Sequence, residues 1–93
     1  MKSLTAWTNI EIAGTRDSWK IAQPGDPPPI KDRVVRLEII GDDKDGYHLC
    51  QSPEGCFTAD THHATVADAM ETAERLFNVP ASAWKKTRPA TQS

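Results

Sequence analysis

Residues Gly55 to Ala69 read GCFTADTHHATVADA and place Cys56, Asp60, His62 and His63 within eight positions. Thiolate, imidazole and carboxylate are the groups that bind zinc or copper, and a Cys-His couple is also a nucleophile with its base. His48 and Cys50 lie just upstream and enlarge the set. The spacing argues against both chemistries. There is no Cys-x-x-Cys and no His pair at helical i, i+4 spacing, and the adjacent side chains of His62 and His63 diverge on an extended chain. His48 and Cys50 fall two apart on a flat strand, where nothing would form an oxyanion hole. The reading is therefore no catalytic residue, no cofactor and no metal. Were a metal held at all, the ligands would be His48, Cys50, Asp60 and His62.

The elements that position these residues start with a hairpin. YHLCQ (Tyr47 to Gln51) and CFTAD (Cys56 to Asp60) flank Ser52-Pro53-Glu54-Gly55, the composition of a type I turn closed by a glycine bulge. That loop predicts Ser52 opposite Cys56, Cys50 opposite Thr58 and His48 opposite Asp60. Tyr47, Leu49, Phe57 and Ala59 then share the other face, and a one-residue slip would break this apolar set. In that register Cys50 and Cys56 are too far apart for a disulfide. Before the hairpin, RVVRLEIIG (Arg33 to Gly41) alternates Val35, Leu37 and Ile39 with Val34, Arg36, Glu38 and Ile40, so one face is greasy and the other half charged. DDKDG (Asp42 to Gly46) makes the intervening turn. It lacks the downstream glutamate and the ligand spacing of a calcium loop.

After Asp60 the period changes from two to that of a helix. Thr65 with Asp68 is a relative of the capping box, and Val66, Ala69, Met70, Ala73 and Phe77 fall on one face with Leu76 beside it. Glu71, Thr72, Glu74 and Arg75 are expected to face water. Asn78 suits a left-handed cap and Pro80 stops continuation, which predicts a helix from Thr65 to Phe77. Val79 and Trp84 are expected to fold back onto the core. At the other end, LTAWTNIEI (Leu4 to Ile12) alternates Leu4, Ala6, Thr8, Ile10 and Ile12 with Thr5, Trp7, Asn9 and Glu11 and suggests a strand, a short helix through Leu4, Trp7 and Ile10 being the alternative. Gln23 to Asp32 carries four prolines and a glycine and must be a loop of polyproline II character.

A chain of 93 residues has room for one core, so residues 1-93 are expected to form a single domain with a Pro-rich loop over 23-32 and a disordered tail over about 86-93. Its net charge is -2, and the basic residues are scattered apart from Lys85, Lys86 and Arg88 in the tail. That balance gives no expectation of nucleic acid. Asn9, Glu11 and Arg16 interrupt the apolar run near the start well short of a signal core or a membrane span, which predicts a cytoplasmic protein with reduced thiols and no membrane contact.

The segment ADTHHATVADAMETAERLFNVPASAW, after two short strands and an Asp-rich turn, resembles a group of small uncharacterised bacterial proteins. Their shared pattern is a strand ending Asp-Thr-Trp-His, a helix with paired alanines, a Phe-Gly-Val end and a nearby Trp. Asp60, Thr61, His63, Ala69, Ala73, Phe77, Val79 and Trp84 match it, over about Arg33 to Trp84. His62 stands where the pattern has Trp, and Asn78 where it has Gly. The resemblance implies a fold and brings no activity.

Together these readings predict an α+β fold: an antiparallel sheet of three or four strands with one C-terminal helix packed on the face of Val35, Leu37, Ile39, Tyr47, Leu49, Phe57 and Ala59. The opposite face stays open unless the N-terminal segment covers it. Val34, Arg36, Glu38, Ile40, His48 and Thr58 are its candidate partner-binding residues. The expected function is a small non-enzymatic protein-binding module, homodimeric or an inhibitor of the immunity type whose acidic turn suits a basic target. The alternative is a metal-binding protein or small hydrolytic enzyme built on the His/Cys/Asp cluster.

Overall fold

The alternation at the N-terminus belongs to the longest strand of the sheet. In the computed structural model, which describes residues 2–86, β1 spans Lys2–Thr15, and the helical alternative for this segment is overturned. β1 turns back at Arg16-Asp17 into β2 (Ser18–Ile21), and after the proline loop β3 spans Ile30–Asp42. β4 (Gly46–Pro53), β5 (Ala59–His63), the helix α1 (Val66–Phe77), a 3-10 turn at Ala81–Ala83 and a two-residue β6 (Lys85–Lys86) complete the order. Lys85 and Lys86, read from sequence as part of a solvated tail, pair with Thr5 and Leu4. The remainder of that tail, with Arg88, lies outside the described residues.

The sheet is antiparallel with order β2-β1-β3-β4-β5, and β6 joins the outer edge of β1 at the end opposite β2. It curls into a half-barrel, with α1 on its concave side. The α+β architecture thus holds, but with more strands than the three or four expected. The β1–β2 hairpin was missed because it hangs on one residue. Gly14 has φ 108, and a Cβ there would overlap the Ser18 carbonyl oxygen. β1 also extends the open face of the sheet rather than covering it: it lies in register along β3, from Lys2 opposite Gly41 to Ala13 opposite Ile30.

Alternation decides the burial. Ala6 and Ile12 of β1, Val35, Leu37 and Ile39 of β3, and Tyr47 and Leu49 of β4 meet Ala69, Ala73 and Phe77 of α1, with Val79 and Trp84 closing one end. Burying a side chain the size of Phe77 contributes about 1.5–3 kcal/mol. Three positions differ from expectation. Phe57 is 47% exposed and Ala59 half-buried, because β4 runs on to Pro53, which is buried opposite Val35. The turn therefore forms one step later, with the Cys56 N–H donating to the Pro53 carbonyl at 3.0 Å and Gly55 at φ 81. Thr72 is buried rather than solvent-facing, and its hydroxyl donates to the Asp68 carbonyl at 3.1 Å.

The later turn moves the β4–β5 register by two. His48 pairs with His62, Cys50 with Asp60 and Gln51 with Ala59, in place of the expected His48–Asp60 and Cys50–Thr58 pairs. A slip of two keeps every side chain on its face, so the two-sided pattern survives the wrong loop length.

Candidate functional site

The helix start is built as its residues suggest. The Thr65 side chain accepts from the Asp68 N–H at 3.0 Å, and Asn78 caps the other end at φ 59, its N–H reaching the Ala73 and Glu74 carbonyls. This cap aims Asp68 back at β5. His63 Nδ1–H donates to Asp68 Oδ2 at 2.8 Å, and the Thr61 hydroxyl donates to His63 Nε2 at 2.7 Å. The row Thr61, His63, Asp68 has the order of a nucleophile, a base and an orienting acid. His63 is 8% exposed, and the row ties the end of β5 to the first turn of α1.

The other face carries the sequence-derived candidates. Val34, Arg36, Glu38 and Ile40 project from β3, His48 and Cys50 from β4, and Asp60 and His62 from β5. His48 Nδ1–H donates to Asp60 Oδ2 at 3.0 Å, now as a diagonal rather than a directly opposed pair. The ring of His62 meets that of His48 edge-on with centroids 5.2 Å apart, and His62 Nε2–H donates to the Asp45 carbonyl at 3.1 Å. Thr58 sits just before β5, its hydroxyl 2.9 Å from Ser52 Oγ. Arg36 pairs with Glu38 at 3.2 Å.

His48, Cys50, Asp60 and His62 are therefore neighbours, as the metal alternative requires. Among the described residues, however, no group of three or more His, Cys, Asp or Glu could hold a metal ion. Hydrogen bonds already occupy His48 Nδ1 and His62 Nε2. Burial pushes the Cys50 thiol up from its ordinary value, and the charges of Asp60 and Glu38 push it further, more than Arg36 offsets. A thiol so placed is a poor nucleophile near neutral pH. Cys56 stands in the turn, away from this row, and both cysteines are free.

β1 contributes what sequence reasoning left out. Trp7 is 62% exposed on the open face, directly across from Arg36, with Asn9 opposite Val34 and Glu11 opposite Asp32 beyond it. Val34 is itself 39% exposed. The signal was present, since Trp7, Asn9 and Glu11 alternate with the apolar set, but only pairing with β3 places them beside Arg36. A shallow cleft of about 320 Å³ lies nearby, where Trp19, Lys20 and Asp26 meet Pro27, Pro28 and Pro29. Lys20 and Asp26 pair across it at 3.0 Å. The Gln23 N–H and Lys20 hold the Asp26 carboxyl below its usual range.

No helix among the described residues is long and apolar enough to cross a membrane. Comparison with known proteins finds no matching family model, curated protein or solved structure.

Proposed function

We propose that the chain is a small, non-enzymatic protein-binding module whose working surface is the open sheet face, acting as a homodimer or as an inhibitor of the immunity type. The observation that carries this reading is Trp7. A large aromatic side chain that stays 62% exposed on a regular strand, flanked by Arg36 and Val34, is the kind of anchor that dominates binding at protein interfaces. Ile40 and the charged residues of β3 surround it with the mixed apolar and polar surface such interfaces have. The resemblance to small bacterial proteins adds a proposed kinship and no activity.

A metal-binding or hydrolytic role for His48, Cys50, Asp60 and His62 has less support. One ring nitrogen of His48, one of His62 and an oxygen of Asp60 are engaged in hydrogen bonds, and an open face offers no enclosure for a substrate.

The test is capture from a lysate of the encoding organism with the wild-type chain, set against an Arg36→Glu/Ile40→Asp variant. Retention of a protein by the wild type and its loss from the folded variant is the expected result. Retention of nothing, together with a monomer in sedimentation at high concentration, would remove the reading.

A further inference from the structure

β5 ends the sheet, and no strand pairs with its outer side among the described residues. Asp60, Thr61 and His62 are all exposed there, while α1 packs on the concave face. Which backbone groups face outward follows from the ladders, because successive residues of a strand direct their N–H and C=O groups to opposite sides. The Glu54 N–H donates to the Val34 carbonyl in line with the β3–β4 register, so the even-numbered residues of β4 turn towards β3. Tyr47, Leu49 and Gln51 then bond to His63, Thr61 and Ala59, which leaves the N–H and C=O groups of Asp60 and His62 pointing out of the sheet. The bond from the Ala22 N–H to the Glu11 carbonyl, on the far side of the sheet, fits the same phase. The two side chains that accompany these free groups differ in character. Asp60 takes the His48 Nδ1–H on Oδ2 and keeps its other carboxylate oxygen, and His62 engages Nε2 with the Asp45 carbonyl and keeps Nδ1. No lysine or proline blunts this edge.

We propose that β5 pairs antiparallel with β5 of a second copy of the chain, about a two-fold axis at Thr61. Asp60 of each copy then lies opposite His62 of the other, and every outward N–H and C=O group of the two residues finds a partner. The register is selective. A slip of two sets Asp60 against Asp60 or His62 against His62, and a slip of one directs the bonding groups past each other. Like charges directly opposite weaken a ladder, whereas carboxylate opposite imidazole strengthens it, and symmetry supplies that pairing twice. A charged imidazole donates from both nitrogens, so Nδ1 of His62 serves the free oxygen of Asp60 across the axis. The axis stands perpendicular to the sheet, which joins the open faces of the two copies on one side and leaves Trp7 and Arg36 uncovered. The proposal goes beyond the docking reading above and does not depend on what that face binds. An edge of 5 residues is a small interface, and a Kd between about 1 µM and about 1 mM is expected.

The experiment is sedimentation of the full chain from about 10 µM to about 2 mM, at about pH 6, where an ordinary imidazole carries charge. Amide hydrogen exchange by NMR is measured at both ends of that range. The expected result is a dimer that forms with concentration, with exchange at the Asp60 and His62 amides slowing as it forms. His62→Asp sets carboxylate against carboxylate and Asp60→His sets imidazole against imidazole, and each should raise Kd about tenfold. The double variant Asp60→His/His62→Asp exchanges the two positions and restores the unlike pairing. Its Kd should return to within about threefold of the wild type, a recovery that damage to the fold would not give. A chain still monomeric at about 2 mM, with both amides exchanging freely, leaves the edge to a strand of another protein or to none and overturns the proposal. A dimer indifferent to the single variants overturns it as well, as does a double variant with native circular dichroism that fails to recover. Loss of the dimer in Arg36→Glu/Ile40→Asp would place the contact on the open face and overturn the edge pairing while leaving the docking reading standing.

Discussion

His63 and Asp68 join the last residue of β5 to the first turn of α1 through a hydrogen bond of 2.8 Å. The imidazole is buried and the carboxylate is partly solvated, so the bond anchors the helix start from the protein side. Asp68 also stands where a negative charge favours a helix N-terminus. Asp68→Ala is expected to destabilise the fold by about 1 kcal/mol, and His63→Ala by about 1–3 kcal/mol because it strands Thr61 and opens a gap. Urea unfolding followed by far-UV circular dichroism measures both. The double variant should cost less than the sum, since the two residues share one bond.

The β1–β2 hairpin depends on Gly14. Gly14→Ala sets a Cβ against the Ser18 carbonyl oxygen at a φ that L-residues rarely adopt, and should cost about 2 kcal/mol or more. Hydrogen exchange should rise first in β2. The Trp19 indole would lose its 2.9 Å bond to the Phe57 carbonyl, which a change in tryptophan emission can report.

Alkaline pH should weaken the fold through Tyr47. Its hydroxyl donates to Asp43 Oδ1 at 2.6 Å, and that bond, then burial, then the charges of Asp43 and Asp42 raise the phenol above 10.0. A pKa raised by folding contributes stability that is complete below the unfolded value and is lost as pH rises through the folded one. The Cys50 thiol, raised chiefly by burial, has the same sign at lower pH. The urea midpoint should fall as pH rises through the ordinary thiol range and on past that of a free phenol, about 10. Tyr47→Phe should flatten the upper part of that fall and Cys50→Ala the lower part.

Trp84 closes the core with its Nε1 buried and unpartnered among the described residues. Trp84→Ala should cost about 3–5 kcal/mol. Trp84→Phe keeps much of the packing and removes the unsatisfied donor, so its loss should stay below about 1.5 kcal/mol. Thermal unfolding of the two variants shows whether packing or polarity matters more at this position.

What could be read from sequence follows from the range of the forces involved. The helix from Thr65 was legible because its cap, its apolar stripe and Asn78 are local signals. The faces of β3 and β4 were legible because alternation has a period of two, which also explains why they survived an error of two in the register. That error came from Pro53, whose propensity marks a turn but whose burial against Val35 depends on a neighbouring strand. Trp7, Glu11 and Asp32 were not read as neighbours of the β3 face for the same reason. Their positions on the strands were readable, but the pairing of β1 with β3 closes a loop across the proline segment, and no local pattern announces it.

The place of β1 also bears on how the chain is made. β1, made before the other strands of this sheet, lies inside it and pairs with β2, β3 and β6. The edge at Leu4 and Thr5 must wait for Lys85 and Lys86. At about 5–20 residues per second, that edge stands open for several seconds of synthesis. During that interval the nascent chain offers an unpaired strand bearing an exposed tryptophan, so crowding on polysomes is a hazard this topology creates.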